Sequence, residues 1–292
     1  MTAQLVAVLG RGVLSPDEPA VFADDLGFTR GDGCFDSARV VCDADGARVV
    51  NLAEHLDRLG HSAAALDLAC PSRSEWEALV AQALAAWWEP GEATLKLVLT
   101  RGREWAPEQA GAALLTIRAR PAATVRQSAS GEEITRGLRA VILTSGRPSD
   151  AFRDAPWLLG GVKTLSYVVN AAAAREARRR GADDAIFVST DGYALDGPTS
   201  GLVVASGGVL RTAPTGDTGI LASVTVQQIL ASARADGMVA REELVPVPDL
   251  FTADGVWLVS SSRGPSPVVE LDGRPLAVDP ELVARVTRYA GF

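Results

Sequence analysis

A chain of 292 residues is long enough for two domains or one large one, and its apolar and charged fractions are ordinary for a globular protein. A net charge of -8 argues against a nucleic-acid backbone as partner, while a small charged substrate at a local patch stays compatible. Cys34, Cys42 and Cys70 show no paired metal spacing, and His55 and His61 are the only imidazoles, so no metal site is expected and a reducing cytoplasm is the expected setting.

Residues 1–14 carry no basic flank or long apolar stretch, and no apolar run reaches bilayer length, so a soluble cytoplasmic protein without a membrane partner is expected. Residues 5–9 predict a first strand. A turn-rich approach with Asp24, Asp25 and Asp32 leads to a strand over 34–41, a hairpin turn at 43–46 and a returning strand over 47–50. Leu52, His55, Leu56, Leu59, Ala63 and Leu66 recur at helical spacing over 52–68, with Asn51 and Glu54 close to a capping-box pattern. A second helix is predicted over 72–88, its start marked by Ser74 before Glu75, and strands over 93–100 and 112–118 follow. The region reads as an α/β layer of mostly antiparallel strands with two helices. Residues 121–132, rich in Pro, Ser and Gly, are the expected linker between a domain at 1–120 and one at 133–292.

In the second region a strand over 138–143 and a polar loop over 145–157 precede Gly160-Gly161. A helix is predicted to open at Lys163 and run to about 180. Beyond it come strands over 184–189 and 202–205, a helix over 225–236, strands near 243–247 and 255–259, a strand pair about Asp272-Gly273, and a helix over 280–289.

Lys96 and Lys163 are the only lysines. Arginine keeps its proton and forms no imine, so covalent amine chemistry must use one of these two. Lys96 sits in an alternating stretch that reads as a strand, pointing away from the core. Lys163 follows a Gly-Gly turn, where it is a candidate nucleophile or a solvated lysine at a helix start. Gly31-Asp32-Gly33 is not a dinucleotide fingerprint, and neither lysine lies in a Walker-type loop, which argues against nucleotide binding. The run Gly219 to Thr225 entering a helix is either a small-anion site or an ordinary cap. Ser260-Ser261-Ser262-Arg263 is a second hydroxyl-rich turn, and Arg58 lies at the margin of the first helix, where a salt bridge to Glu54 is the plain expectation. Three anion-binding features and a lysine suit a phosphorylated carbonyl cofactor.

Gly31-Asp32-Gly33-Cys34-Phe35, Glu54-His55-Leu56-x-Arg58-Leu59, Lys163-Thr164-x-x-Tyr167-x-x-Asn170, Gly192-x-x-x-Asp196-Gly197 and Gly219-Ile220-Leu221-x-x-x-Thr225 together resemble the fold-type IV pyridoxal-phosphate enzymes. This group holds branched-chain aminotransferases, D-amino-acid transaminases and aminodeoxychorismate lyases, and the overall sequence is most similar to the lyases. The resemblance implies an α/β fold (α+β layers) of two domains, the second an open-barrel-like sheet with helices, as a homodimer. It implies pyridoxal 5'-phosphate held as an imine by Lys163, which then shuttles protons. Arg58, the amides of Val224 and Thr225, the Thr225 hydroxyl and Ser261 match the phosphate cup. Tyr167 matches a residue beside the cofactor phenolate, and Phe35 and Ser37 match pocket positions. Asp196 stands where the family usually has Glu against the pyridinium nitrogen, and Ser223 replaces a frequent Gly.

The expected activity is a lyase converting 4-amino-4-deoxychorismate to 4-aminobenzoate and pyruvate for folate synthesis. The small dianionic substrate needs cations, for which Arg263 is the first candidate, with Ser262 beside it in the pocket; Arg103 and Arg153 are further candidates, for which structural surface roles are the plainer expectation. The alternatives are an aminotransferase for D-amino or branched-chain amino acids on the same scaffold, and a non-catalytic binding protein. Residues 100–105 lack the Arg-x-His arrangement that D-amino-acid transaminases use for the substrate carboxylate.

Overall fold

The computed structural model describes residues 3–120 and 137–292, with the backbone of the short paired strands at 126–127 and 133–134. The expected linker, residues 121–132, lies outside the described residues apart from that backbone. The fold is mixed α/β, and the chain divides into two compact units. The first contains the described residues of Met1–Ala123 together with Val162–Tyr167, and the second those of Thr124–Gly161 with Val168–Phe292.

In the first unit, β1 (Gln4–Val8), β2 (Gly12–Leu14), the single-turn α1 (Leu26–Thr29), β3 (Gly33–Asp43) and β4 (Gly46–Val49) are followed by α2 (Leu52–Ala65), α3 (Arg73–Ala86), β5 (Gly91–Thr100) and β6 (Ala113–Ala119). The six strands form one antiparallel sheet in the order β2-β1-β6-β5-β3-β4. Side chains of a strand alternate between faces. Cys34, Ala38 and Val40 of β3 join Leu95, Leu97 and Leu99 of β5 on the face that buries Leu56, Leu59 and Ala63 of α2 and Trp76, Leu79 and Val80 of α3. The helix caps differ from expectation. Asn51 precedes α2 in the left-handed region (φ 54°) and its side chain makes no capping bond, whereas the capping box belongs to α3, where Ser72 and Glu75 cap each other.

The second unit opens with the strand pair β7 (Arg126–Gln127) and β8 (Glu133–Ile134), then β9 (Leu138–Thr144), α4 (Val168–Arg179), β10 (Asp184–Val188), β11 (Tyr193–Ala194), β12 (Gly201–Ser206) and β13 (Val209–Thr212). It continues with α5 (Val224–Ala235), β14 (Val239–Glu242), β15 (Val245–Pro246), β16 (Gly255–Ser260), β17 (Gly264–Leu271), β18 (Arg274–Pro275) and α6 (Pro280–Tyr289). Apart from β7 and β8 these strands form one mixed sheet in the order β14-β13-β12-β16-β17-β9-β10-β11-β15, with β18 paired to β17. The central strands β12 and β16 are buried on both faces, as their nearly unbroken apolar sequence requires. Val203, Ala205, Trp257 and Val259 pack with Ile229 and Leu230 of α5 and Val286 of α6. Their neighbours Leu202, Val204, Val256 and Leu258 pack on the other face with Ala140, Ile186 and Leu250. Period-two alternation thus feeds two cores from the same strands.

Candidate functional site

Lys163 does not open a helix. Helix α4 starts at Val168, and the preceding segment Val162–Tyr167 belongs to the first unit and pairs with the start of β3. Phe35 N donates to Lys163 O (3.0 Å), Leu165 N donates to Gly33 O (2.8 Å), and Cys34 and Thr164 form a β-bridge. This close pairing explains the Gly31-Asp32-Gly33 signal. A Cβ on Gly33 would stand 2.4 Å from Leu99 O and 2.7 Å from the Leu165 side chain, and Gly31 (φ 72°) lies against Ser166. The glycines let the lysine-bearing segment lie on the sheet.

So held, and with Lys163 N donating to Ser62 Oγ (3.2 Å), the Lys163 side chain meets two rings. Its Nζ donates to Tyr167 Oη (3.3 Å) and lies 4.6 Å from the Phe35 ring centroid. Phe35 and Tyr167 pack edge to face, centroids 5.0 Å apart. The second lysine is there too. Lys96 of β5 pairs across from Ser37, and its Nζ lies 4.4 Å from the Phe35 centroid. As expected, Lys96 faces away from the helix-covered core, but it is half-buried beside Phe35 and burial lowers its pKa. Phe35, Ser37, Lys96, Lys163 and Tyr167 are therefore neighbours, and Lys96 is the member the sequence reading left out.

On the opposite face of β3, Asp36 is fully buried and receives Arg58 Nε and Nη2 of α2, each at 2.8 Å, and His55 Nδ1 at 2.7 Å. Arg58 is thus paired with Asp36 and not with Glu54. Burial pushes the Asp36 carboxyl up, but the Arg58 and His55 hydrogen bonds and the Arg58 charge outweigh it and hold the group below its ordinary value. The triad fixes the direction of the Arg58 guanidinium through a two-point contact. Asp36 was missed because its neighbours in the alternation drew attention to the other face. The available signal was a carboxylate in a strand whose same-face neighbours are apolar, since such a group needs a cation from the covering helix.

In the second unit, Ser223 caps α5, its Oγ accepting from Val226 N (3.3 Å). The amides of Val224 and Thr225 belong to the first helical turn, whose N–H groups have no intrahelical acceptor. Thr225 is buried, and its hydroxyl lies 2.9 Å from the Ser261 hydroxyl, which follows β16. The arrangement offers amides, hydroxyls and a helix dipole to an anion. Asp196 is half-buried just after β11, its carbonyl accepting from Phe187 N (2.8 Å). Ser262 is half-buried in the turn after Ser261.

The three candidate substrate cations each have a carboxylate. Arg263 Nη2 donates to Asp184 (2.9 Å) and to Ser200 Oγ (2.9 Å). Exposed Arg153 pairs with Asp217 (2.8 Å). In the first unit Arg103 pairs with buried Asp24 (3.0 Å) and covers the Phe22 ring. Among the described residues no cluster suited to a metal ion occurs, and no helix is long and apolar enough to cross a membrane.

The bifunctional aminodeoxychorismate lyase / D-amino acid transaminase of Mycobacterium tuberculosis is 38% identical over 285 residues, covering 94% of each chain. A solved structure of a hypothetical aminotransferase from Mycobacterium tuberculosis, in its PLP-bound form, superposes with a TM-score of 0.88 at 37% identity, covering 99% of this chain and 98% of that one. A fold IV transaminase from Curtobacterium pusillum gives the same TM-score at 36% identity and covers 99% of both chains. With the amino-transferase class IV model matching residues 33–271, from the first strand of the lysine-bearing pair to the end of β17, the chain belongs to the class IV aminotransferase family.

Proposed function

We propose that the protein is an aminodeoxychorismate lyase, cleaving 4-amino-4-deoxychorismate to 4-aminobenzoate and pyruvate in the cytoplasm for folate synthesis, and acting as a homodimer. The observation that carries the reading is the 38% identity, over almost the whole of both chains, to a relative named as such a lyase. Its second name, D-amino acid transaminase, favours a second reading: amino transfer on the same site.

The cofactor is pyridoxal 5'-phosphate. The side chains fit it: a half-buried lysine with a phenol on its amine, a carboxylate at Asp196, and hydroxyls, first-turn amides and a guanidinium for a phosphate monoester. Lys163 would hold the carbonyl carbon, Asp196 the ring nitrogen, and Arg58, Val224, Thr225 and Ser261 the phosphate. When bound, the group supplies an electron sink for charge developing at the substrate carbon that bears the amine.

Within that frame Lys163 Nζ would be the base for the proton on that carbon. Tyr167 Oη orients the amine, which lies beside the edge-to-face pair of Phe35 and Tyr167 rings. Loss of the side chain as pyruvate leaves an aromatic ring, which drives the elimination. Lys96 is the cation that the first unit offers to a substrate carboxylate beside Phe35, with Ser37 as its cross-strand neighbour. The two readings differ in a co-substrate. Equimolar 4-aminobenzoate and pyruvate from 4-amino-4-deoxychorismate, with no keto acid present, is the expected result. If aminobenzoate fails to form while D-alanine passes its amino group to 2-oxoglutarate, the transaminase reading replaces the lyase.

A further inference from the structure

Arg263 was expected from sequence to meet the substrate. In the structure its guanidinium turns inside the second unit and joins two turns. Nη2 donates to Ser200 Oγ and to Asp184 Oδ2, both at 2.9 Å, and Asp184 Oδ1 accepts from Ala185 N (2.9 Å) at the start of β10. Asp184 and Ser200 are both buried.

Ser200 ends the short turn that begins at Asp196. Gly197 N donates to Ser200 O (2.7 Å), closing the turn, and Asp196 O accepts from Phe187 N (2.8 Å). Asn170 of α4 adds a bond to Pro198 O (2.7 Å). The turn has no room to slide, since a Cβ on Gly197 would meet Ala185 O at 3.0 Å and Leu258 at 3.1 Å. The other end of the tie is the turn of residues 260–263. There Arg263 N donates to Ser260 Oγ (3.2 Å), and the Ser261 hydroxyl lies 2.9 Å from that of Thr225.

The Nε of Arg263 is buried, with no hydrogen-bond partner among the described residues. The fork is aimed so that a single nitrogen, Nη2, reaches both Asp184 and Ser200.

We propose that Arg263 is a positioning residue that locks the Asp196 turn to the Ser261 turn, keeping the ring-nitrogen carboxylate in register with the hydroxyl pair for the cofactor phosphate. The inference rests on the cofactor roles proposed above for Asp196, Thr225 and Ser261. Ser200→Ala removes one arm of the tie and leaves the Asp184 pair. Arg263→Met removes both arms.

The test uses the full chain. Pyridoxal phosphate affinity and the thermal midpoint are measured on apo protein, and the pH titration of the visible absorption band, with kcat and KM, on holoenzyme. Each variant is expected to lose cofactor affinity by roughly tenfold, the scale of a lost charge-assisted bond, and to move the titration in the same direction as Asp196→Ala. The double variant is expected to be no worse than Arg263→Met, because the two residues form one tie. Should Arg263→Met not fold, Ser200→Ala decides alone through affinity and titration. A raised KM with affinity and titration unchanged would assign Arg263 to the substrate and overturn the proposal. A lowered thermal midpoint with affinity and titration unchanged would reduce it to a structural role and equally overturn it. If Asp196→Ala itself leaves the titration in place, the Asp196 assignment fails first, and the tie has nothing to position.

Discussion

Lys163 and Lys96 bring the chain's two lysine amines to one phenylalanine ring, and their surroundings divide the work between them. Lys163 has the phenol of Tyr167 on its amine and is bonded through its backbone to β3, so its position is set by the sheet. Lys163→Ala is expected to lower turnover by at least about a hundredfold, the contribution of a positioned general base, and to abolish the cofactor's bound absorption band in freshly reconstituted protein. Lys96 has no covalent role in this scheme. Lys96→Met is expected to raise KM by roughly 10- to 100-fold, as a lost charge-assisted contact does, with kcat changing much less. Burial lowers the Lys96 pKa, so its ammonium loses its proton earlier as pH rises than an exposed lysine would. Substrate affinity should therefore fall on the alkaline side, below the ordinary lysine range. A KM–pH profile that keeps this limb in Lys96→Met would assign it to another group.

The Asp36 triad shows how a strand and a helix share a charge. Asp36→Asn leaves the Arg58 guanidinium without its carboxylate in a buried setting, and breaking such a pair costs about 3–5 kcal/mol. The expected result is a large drop in unfolding free energy by denaturant titration, with a parallel loss of cofactor retention as the Arg58 fork is released. The pH dependence has a definite sign. The folded-state Asp36 pKa is depressed, so its contribution is present above the unfolded carboxylate value and is lost as pH falls through the lower folded value. Acid unfolding of Asp36→Asn should lack that part of the slope. The triad also marks the limit of reading by sequence. Element types and order were legible because periodicity is local: β3, β5, β12, β16, α5 and α6 all lie within a few residues of their predicted bounds. The segment before α4 was not legible, since helix-favouring alanines follow Lys163 and only the tertiary pairing with β3 overrides them. Arg58, Thr225 and Ser261 were named by motif, and the Thr225–Ser261 hydroxyl pair was within reach of that reading. The partners of Arg58 and Arg263 lie 22 and 79 residues away, where no spacing rule applies.

At the scale of the molecule the first unit carries a surface that a single copy leaves unexplained. Phe28 and Trp105 are 75% and 80% exposed, and Phe22 is 60% exposed under the Arg103 guanidinium. The Asp25–Arg103 bridge and the bond from Leu26 N to Gly102 O hold their two loops side by side, so the three rings belong to one region and are not scattered. Exposed aromatics grouped in this way mark interaction surfaces on soluble proteins. A second copy of this chain is the occupant expected from the homodimer reading, and the Asp24–Arg103 pair beneath the loops gives that face a fixed shape. Phe28→Asp combined with Trp105→Glu puts charge on the apolar face without touching the Lys163 or Asp36 clusters. Light scattering after size exclusion is expected to report a dimer for the native chain and a monomer for the double variant, with unchanged far-ultraviolet circular dichroism. A native chain that elutes as a monomer, or a double variant that stays dimeric, would remove this face from the assembly.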